Sequence, residues 1–392
     1  MKLAVTLMVR DEADIIQQWL DYHVAQGVDL LVITDNGSED GTREVLEAFA
    51  ASGRVEVDLR HDPVHRKQQS TTVTRMAREA FTQHGADWVV NADADEFLMP
   101  KDRSLSLHDV FTRLDPDVNA FVVPVVNMVG RMAKRGAGID RLVWRDERSP
   151  EELRAVGLLA QPSGNAIHVG NAEVSVVQGN HLVTMPNHRA PDEALALEVL
   201  HLPWRSWAQY EHRVEIAGRA YASNPDLVPS PNHHGMRDYR RLGQGILPAY
   251  YALRHISDAD AEHGGFRRDE SLVDYFASIG KPVGSYGGDT VMPRAEAARL
   301  TAIGRALSAR DVLVEDTAAE LAAATENVRL MSNTVQHLNA SVQHQQERIA
   351  ALEALANARE RELTLMRARR VVRVADRAGD LARRVRTRLQ GS

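Results

Sequence analysis

A chain of 392 residues has room for one large domain with an appendage, or for two domains. Its 44% hydrophobic and 26% charged residues are ordinary for a globular protein, and the absence of cysteine excludes disulfides, thiolate metal sites and cysteine nucleophiles. The net charge of −7 is unevenly spread: Arg367 to Ser392 holds nine arginines against Asp376 and Asp380, so the tail is near +7 and the rest near −14, which disfavours nucleic acid as a partner of the main body.

The opening MKLAVTLMVRDE is brief, lacks a small-residue cleavage site and ends in charge, so it reads as a first strand rather than a signal peptide. No run approaches the roughly 18 apolar residues of a membrane span. The expectation is a cytoplasmic chain, soluble or peripheral at the inner face of a membrane.

Leu3 to Val9 is an apolar strand, after which Asp11 is placed to cap a helix whose apolar positions Ile15, Ile16, Trp19, Leu20 and Val24 recur at helical spacing. Gly27 stops that helix. Leu30 to Thr34 is a second strand, followed by a polar turn and a helix from Thr42 to Ala51. Val55 to Leu59 is a third strand; a helix from Thr72 to Gln83 leads to a fourth, Trp88 to Asn91, and Phe121 to Val126 is another. This alternation predicts an α/β fold with a mostly parallel sheet covered by helices on both faces. Ligands of such sheets sit beyond the carboxyl ends of the strands, where Asp35, Asp93 and Asp95 fall.

From Arg131 to Asn165 the pattern dissolves into Arg, Gly, Pro and Ser, which reads as a mobile loop. A helix is expected from Ser206 to Ala222, while Ser223 to Gly245, rich in Pro, His and Gly, fits no element. Beyond it a heptad sets in. With Val314 at position a, the a series runs Val314, Leu321, Val328, Val335, Val342, Ile349, Ala356, Leu363, and the d series runs Thr317, Ala324, Met331, Leu338, Gln345, Leu352, Arg359, Met366. Apolar, mostly β-branched a positions favour a parallel two-stranded coiled coil and hence a homodimer. The tail after Met366 alternates Arg with Val, Leu and Ala, as a basic amphipathic helix on anionic lipid does.

Two stretches carry chemistry. TDNGSEDGT, Thr34 to Thr42, is a turn in which Ser38 or Asp40 can cap the next helix, but Asp35 at the strand end can also accept from the N–H of a pyrimidine ring. NADADEFL, Asn91 to Leu98, puts Asp93, Asp95 and Glu96 together at the end of an apolar strand. Mg²⁺ or Mn²⁺ commonly binds through one or two carboxylates plus substrate phosphates, and there offsets diphosphate charge as a Lewis acid. A nucleotidyltransferase would show a Gly-rich phosphate loop after the first strand; Val9-Arg10-Asp11-Glu12 is none.

Together, LMVRDEADIIQQWLDYHVAQGVDLLVITDNGSEDGT, ADWVVNADADEFL and HLPWRSWAQYEHRVEIAG resemble the glycosyltransferase family 2-like enzymes of GT-A fold, over roughly residues 3 to 220. The resemblance implies that Asp35 binds the nucleotide base, that Asp93 contacts the ribose or a metal-bound water, and that Asp95 ligates Mn²⁺ or Mg²⁺ with His201 beside it. It implies Arg205 and Arg213 on phosphate oxygens, Gln68 and Gln69 as polar contacts to the nucleotide, and Glu96 as an orienting group. An inverting transferase also needs a general base. Asp192 and Glu193 occupy a polar loop where one is expected, with Glu198 as a rival; the residues leave retaining chemistry open. His168, His181 and His188 read as structural, and His233-His234 as acceptor contacts or nothing.

The implied enzyme moves a sugar from a nucleotide-sugar donor, UDP-linked by family analogy, to a glycan, lipid-linked or other hydroxyl acceptor in polysaccharide biosynthesis. The competing reading is a non-catalytic scaffold organised by the coil. The expected domains are a GT-A domain at 1–260 (nucleotide-binding half 1–127, acceptor half 128–260), a helical connector at 261–310, a coiled coil at 311–368 and a basic tail at 369–392.

Overall fold

The computed structural model describes residues 1–63, 69–155, 158, 164–177, 179–186, 188–222, 234–261 and 264–389. In chain order the elements are β1 (Leu3–Val9), α1 (Ile16–Ala25), β2 (Leu30–Asp35), α2 (Thr42–Ala51), β3 (Glu56–His61), α3 (Gln69–Thr82), β4 (Trp88–Ala92), β5 (Glu96–Pro100), α4 (Leu107–Arg113), β6 (Ala120–Val123) and β7 (Val125–Val129). There follow β8 (Ala133–Arg135), β9 (Trp144–Asp146), α5 (Pro150–Ala155), β10 (Asn165–Val169), β11 (Leu197–His201), α6 (Trp207–Ala222), α7 (His234–Gly243) and α8 (Leu247–Ala252). The last are α9 (Asp258–Ala261), β12 (Phe266–Arg268), α10 (Ser271–Ser278), β13 (Thr290–Val291) and α11 (Arg294–Leu389). Contacts divide the chain into a unit Met1–Leu313 and a unit Val314–Ser392.

In the first unit β1 and β2 are apolar nearly throughout, as strands covered on both faces must be. They sit inside a six-stranded sheet ordered β3-β2-β1-β4-β10-β6, parallel from β3 to β4, with β10 antiparallel to both its neighbours. The mixed α/β class expected from the alternation is what the chain forms. The run Phe121 to Val126 is not one strand. Pro124 has no N–H to give a ladder, and the chain changes sheets there: β6 closes the first sheet while β7 joins a second, ordered β12-β9-β7-β11-β5.

Strand β5 is an edge of that second sheet, and α1 satisfies the edge. The Trp19 indole N–H donates to the Glu96 carbonyl at 3.1 Å and the Tyr22 hydroxyl to the Leu98 carbonyl at 2.7 Å, with both rings fully buried. Carbonyls two residues apart on one strand point the same way, so one helix face covers both. This fixes the start of β5, and with it the acidic turn Asp93–Asp95.

The segment read as a mobile loop, Arg131 to Asn165, instead contains β8, β9 and α5. Two of its arginines are buried ion-pair members: Arg141 donates to Asp289 at 2.8 Å, and Arg145 reaches Glu198 at 2.7 Å and Asp269 at 2.9 Å. Helix α6 is held against α7 by a close approach, since a Cβ on Gly218 would lie 2.1 Å from the Tyr239 ring.

In the second unit α11 continues without interruption, and the valines, leucines and isoleucine of the a series from Val314 to Leu363 are each more than half exposed. No helix among the described residues is long and apolar enough to cross a membrane.

Candidate functional site

Parallel pairing sets the carboxyl ends of β1, β2 and β4 side by side, with Val9 opposite Asp35 and Leu7 opposite Ala92. The loop after β1 is pinned there. Asp11 does not cap α1, as expected from sequence; it takes a left-handed φ of 54° and accepts from the Glu39 N–H at 2.7 Å. The first turn of α1 bonds to the Glu12 carbonyl instead. The same loop is fastened to α6, where His212 Nε2 lies 2.9 Å from Asp11 Oδ2 and Gln209 donates to the Asp11 carbonyl at 3.0 Å.

Asp35 is buried at the end of β2. Its Oδ1 accepts from the Ser38 N–H at 3.1 Å, and its Oδ2 lies 2.8 Å from Nδ1 of His61, whose side chain is 35% exposed. The Asp35 carboxylate therefore meets the crevice through a histidine that no sequence motif announced.

Asp93, Asp95 and Glu96 form a buried acidic turn together with Glu12. Asp95 Oδ2 is 2.9 Å from Arg213 Nη1, 3.6 Å from His201 Nε2 and 3.8 Å from Arg205 Nη1. Glu96 accepts from Asn165 Nδ2 at 2.7 Å, in keeping with an orienting place for it. Asp93 accepts long bonds, from Gln69 Nε2 at 3.3 Å and Asn180 Nδ2 at 3.4 Å. Arg205, fully buried, is spent on carboxylates: it is paired with Glu12 and donates to Asp14 at 2.8 Å. It braces the loop after β1 against α6 rather than presenting a fork to a phosphate. Arg213, whose side chain is 37% exposed, is a guanidinium within reach of a ligand.

Burial works against every one of these charges. For Asp95 it is outweighed by His201, Arg213 and Arg205, which hold that carboxyl well below the usual range. For Asp93 burial and the charges of Glu96, Asp95 and Glu12 act together and push it well above the usual range. Burial also raises Glu96, and raises Glu12 to about 7 in spite of Arg205. The site thus gathers more negative charge than its described side chains neutralise.

Asp93, Asp95 and His201 do not form a ready-made cage: among the described residues no three Asp, Glu, His or Cys side chains converge as metal ligands. The donors nonetheless suit a hard cation that brings further ligands with it. His201 Nδ1 lies 2.9 Å from Asn127 Oδ1, which holds the ring with Nε2 facing Asp95. That is how a metal-binding histidine is oriented from behind.

Gln68 lies outside the described residues, as does His233. Asp192 and Glu193 are exposed, just before β11. His201 stands at the opposite end of that strand. Glu198 is committed to Arg145 and to Arg103, the latter at 2.7 Å, and is not available as a base. His168 is buried, lowered to about 4 by that burial, and structural as expected. Sequence reasoning passed over Glu12, Asn127, Asn180 and His61. Of these only Glu12 carried a signal, as an acidic residue just past the carboxyl end of a central strand.

Residues 4–129 match glycosyltransferase family 92. A glycosyltransferase family 92 protein of Oryza sativa subsp. japonica is 34% identical over 96 residues, which are 24% of this chain and 16% of the rice protein. The chain therefore meets only a small part of that relative's length. Among solved structures, the mannosyltransferase PcManGT from Pyrobaculum calidifontis, in complex with GDP-Man and Mn²⁺, is similar at 17% identity and a TM-score of 0.32, over 78% of this chain and 80% of that one. S. aureus TarS is similar at 12% identity and a TM-score of 0.31, over 79% and 55%. Likenesses as slight as these two carry no weight for what the chain binds. The family match falls on the third of the chain that holds Glu12, Asp35, Asp93 and Asp95. The glycosyltransferase relationship anticipated from the motifs is thereby supported, here by family 92.

Proposed function

We propose that this chain is a metal-dependent glycosyltransferase, moving a sugar from a nucleotide-sugar donor, UDP-linked in preference, to a hydroxyl of a glycan or lipid-linked acceptor with inversion. One observation carries the reading: His201, oriented by Asn127, turns Nε2 toward Asp95, beside an Asp93 that has no cationic partner within hydrogen-bond distance among the described residues. Such a site invites a cation from solution. Asp95 and His201 would hold Mn²⁺ or Mg²⁺ with Asp93 near it, and the ion would supply neutralisation of the diphosphate and Lewis-acid support of the departing nucleotide.

The chain's own residues do the rest. Arg205 ties Glu12 and Asp14 together at the floor of the site. Arg213 can exchange the Asp95 carboxylate for a phosphate oxygen, a match to guanidinium geometry. Asp35 and His61 stand at the ends of neighbouring strands, where a base edge can be read. With Nδ1 turned to Asp35, the Nε2 of His61 is left to face the edge of a base.

The reading includes self-association through α11. In a parallel in-register pair, position g faces position e of the partner five residues on. Arg348 then meets the partner's Glu353, and Glu362 meets the partner's Arg367, two attractive g–e pairs with no like-charge g–e pair beside them.

Calorimetric titration of UDP and GDP, with and without Mn²⁺, tests the donor site. Metal-dependent binding of one nucleotide that is lost in Asp95→Ala is the expected result. If neither nucleotide binds with metal present, the enzyme reading falls and the coil becomes the functional part.

A further inference from the structure

The heptad that governs α11 from Val314 does not survive into the tail. Continuing the series past Leu363 and Met366 puts Arg370, Arg377 and Arg384 at a, and Arg373 and Asp380 at d. A seam of arginines cannot zip. Yet the helix does not become polar all round, for Val371, Val374, Ala378, Leu381 and Val385 follow one another at steps of three and four residues. They fall one position after a and one after d, so this apolar stripe is turned by about 100° from the coil's seam. The stripe stands open: Val371 is 68% exposed, Val374 66%, Leu381 65% and Val385 53%. Arg369, Arg373, Arg383 and Arg386 take the far side, with Arg370, Arg377 and Arg384, all at position a, along the border of the stripe.

We propose that residues 367–389 form an anionic-lipid-binding helix, separate in face and in partner from the coiled coil. The partner must satisfy two features at once. A net charge near +7 within this short stretch calls for a dense negative surface, and a continuous stripe of Val, Ala and Leu calls for something apolar just beneath it. A bilayer rich in anionic headgroups presents both in that order, and a helix lying in its interface satisfies both. A polyanion such as nucleic acid would meet the arginines and leave the stripe in water. An extended coil would bury the stripe and leave the arginines unanswered. The inference does not depend on the donor site; it gives the chain a surface at which lipid-linked acceptors are presented.

The test is co-sedimentation of the full chain with vesicles of phosphatidylcholine, with and without phosphatidylglycerol. It is repeated on Val374→Glu/Leu381→Glu and on Arg377→Glu/Arg384→Glu, with sedimentation velocity on each protein alone. The expected result is binding that needs phosphatidylglycerol, weakens as salt rises, and falls at least about tenfold in both double variants. Self-association and nucleotide titration should stay as in the parent. Equal binding to phosphatidylcholine alone, or undiminished binding by either variant, would overturn the proposal. So would a loss of self-association in Val374→Glu/Leu381→Glu as large as in Ile349→Glu, which would make the tail a continuation of the coil.

Discussion

Arg213 closes on Asp95 at 2.9 Å, on the carboxylate oxygen that His201 Nε2 faces at 3.6 Å. One oxygen thus serves a guanidinium and an imidazole, and a cation would have to displace the first to use the second. The consequence is a sign that distinguishes ligand binding from scaffolding. Arg213→Met should weaken nucleotide binding by roughly ten- to a hundredfold, the loss of a charge-assisted phosphate contact. The same change frees Asp95, so Mn²⁺ alone should bind the variant more tightly than the parent. Paired titrations of Mn²⁺ and of nucleotide read the two effects; a joint fall in both would mean that Arg213 simply holds the site together.

His61 makes a second, narrower test. Its Nδ1 lies 2.8 Å from Asp35 Oδ2, and it stands apart from Asp93 and Asp95 on a different strand. His61→Ala should lower UDP affinity about tenfold, the scale of one hydrogen bond to a base. Competition by Mn²⁺ and pyrophosphate, which lack a base, should be unchanged. Equal loss for both ligands would place His61 in the frame of the site instead of at the base.

How much of this the sequence disclosed depends on the reach of each interaction. Strands β1 and β2 and helix α2 are written in local periodicity, and α2 runs from Thr42 to Ala51 as that periodicity predicts. Asp35 and the Asp93–Asp95 turn were legible because a parallel sheet puts strand ends at one edge. Arg141 and Arg145 misled for the opposite reason. Among Gly, Pro and Ser they look like solvated loop, while Asp289, Glu198 and Asp269, which bury them, lie 148, 53 and 124 residues away. Arg205 misled likewise: the resemblance set it with Arg213 on phosphate oxygens, but Glu12 and Asp14, 193 and 191 residues distant, had already claimed it. No periodicity reports a partner at that separation.

The Arg145 cluster gives a prediction about stability. Burial would raise the Glu198 carboxyl, but Arg145 and Arg103 overcome it and hold the group below its ordinary value of 4.5. A depressed carboxyl contributes stability that is present above the unfolded value and lost as pH falls through the folded one. The urea midpoint should therefore drop as pH is taken below about 4.5. Arg145→Ala should cost about 3–5 kcal/mol at neutral pH by stranding buried carboxylates. It should also flatten the acid limb, because Glu198 then has less to lose on protonation. An unchanged acid limb in the variant would assign the pH dependence to other groups.

The coil's orientation can be decided by exchange of charge. Arg348→Glu alone would set two acids against each other across a parallel seam, the introduced carboxylate on one helix facing the partner's Glu353. The dimer should then dissociate roughly two- to fivefold more readily, as for one exposed pair. Glu353→Arg alone should do the same with two bases. The double exchange Arg348→Glu/Glu353→Arg restores attraction only if the helices run parallel and in register, since only then do these positions face each other. Sedimentation equilibrium on the three variants should show recovery in the double. Additive loss would mean that the charges lie elsewhere, and the helices would have to pair antiparallel or out of step. Gln345 and Arg359 at d give a further check on register, because only in-register pairing sets each opposite its own copy. Replacing both by Leu removes that constraint, and should strengthen the dimer while loosening its preference for a single alignment.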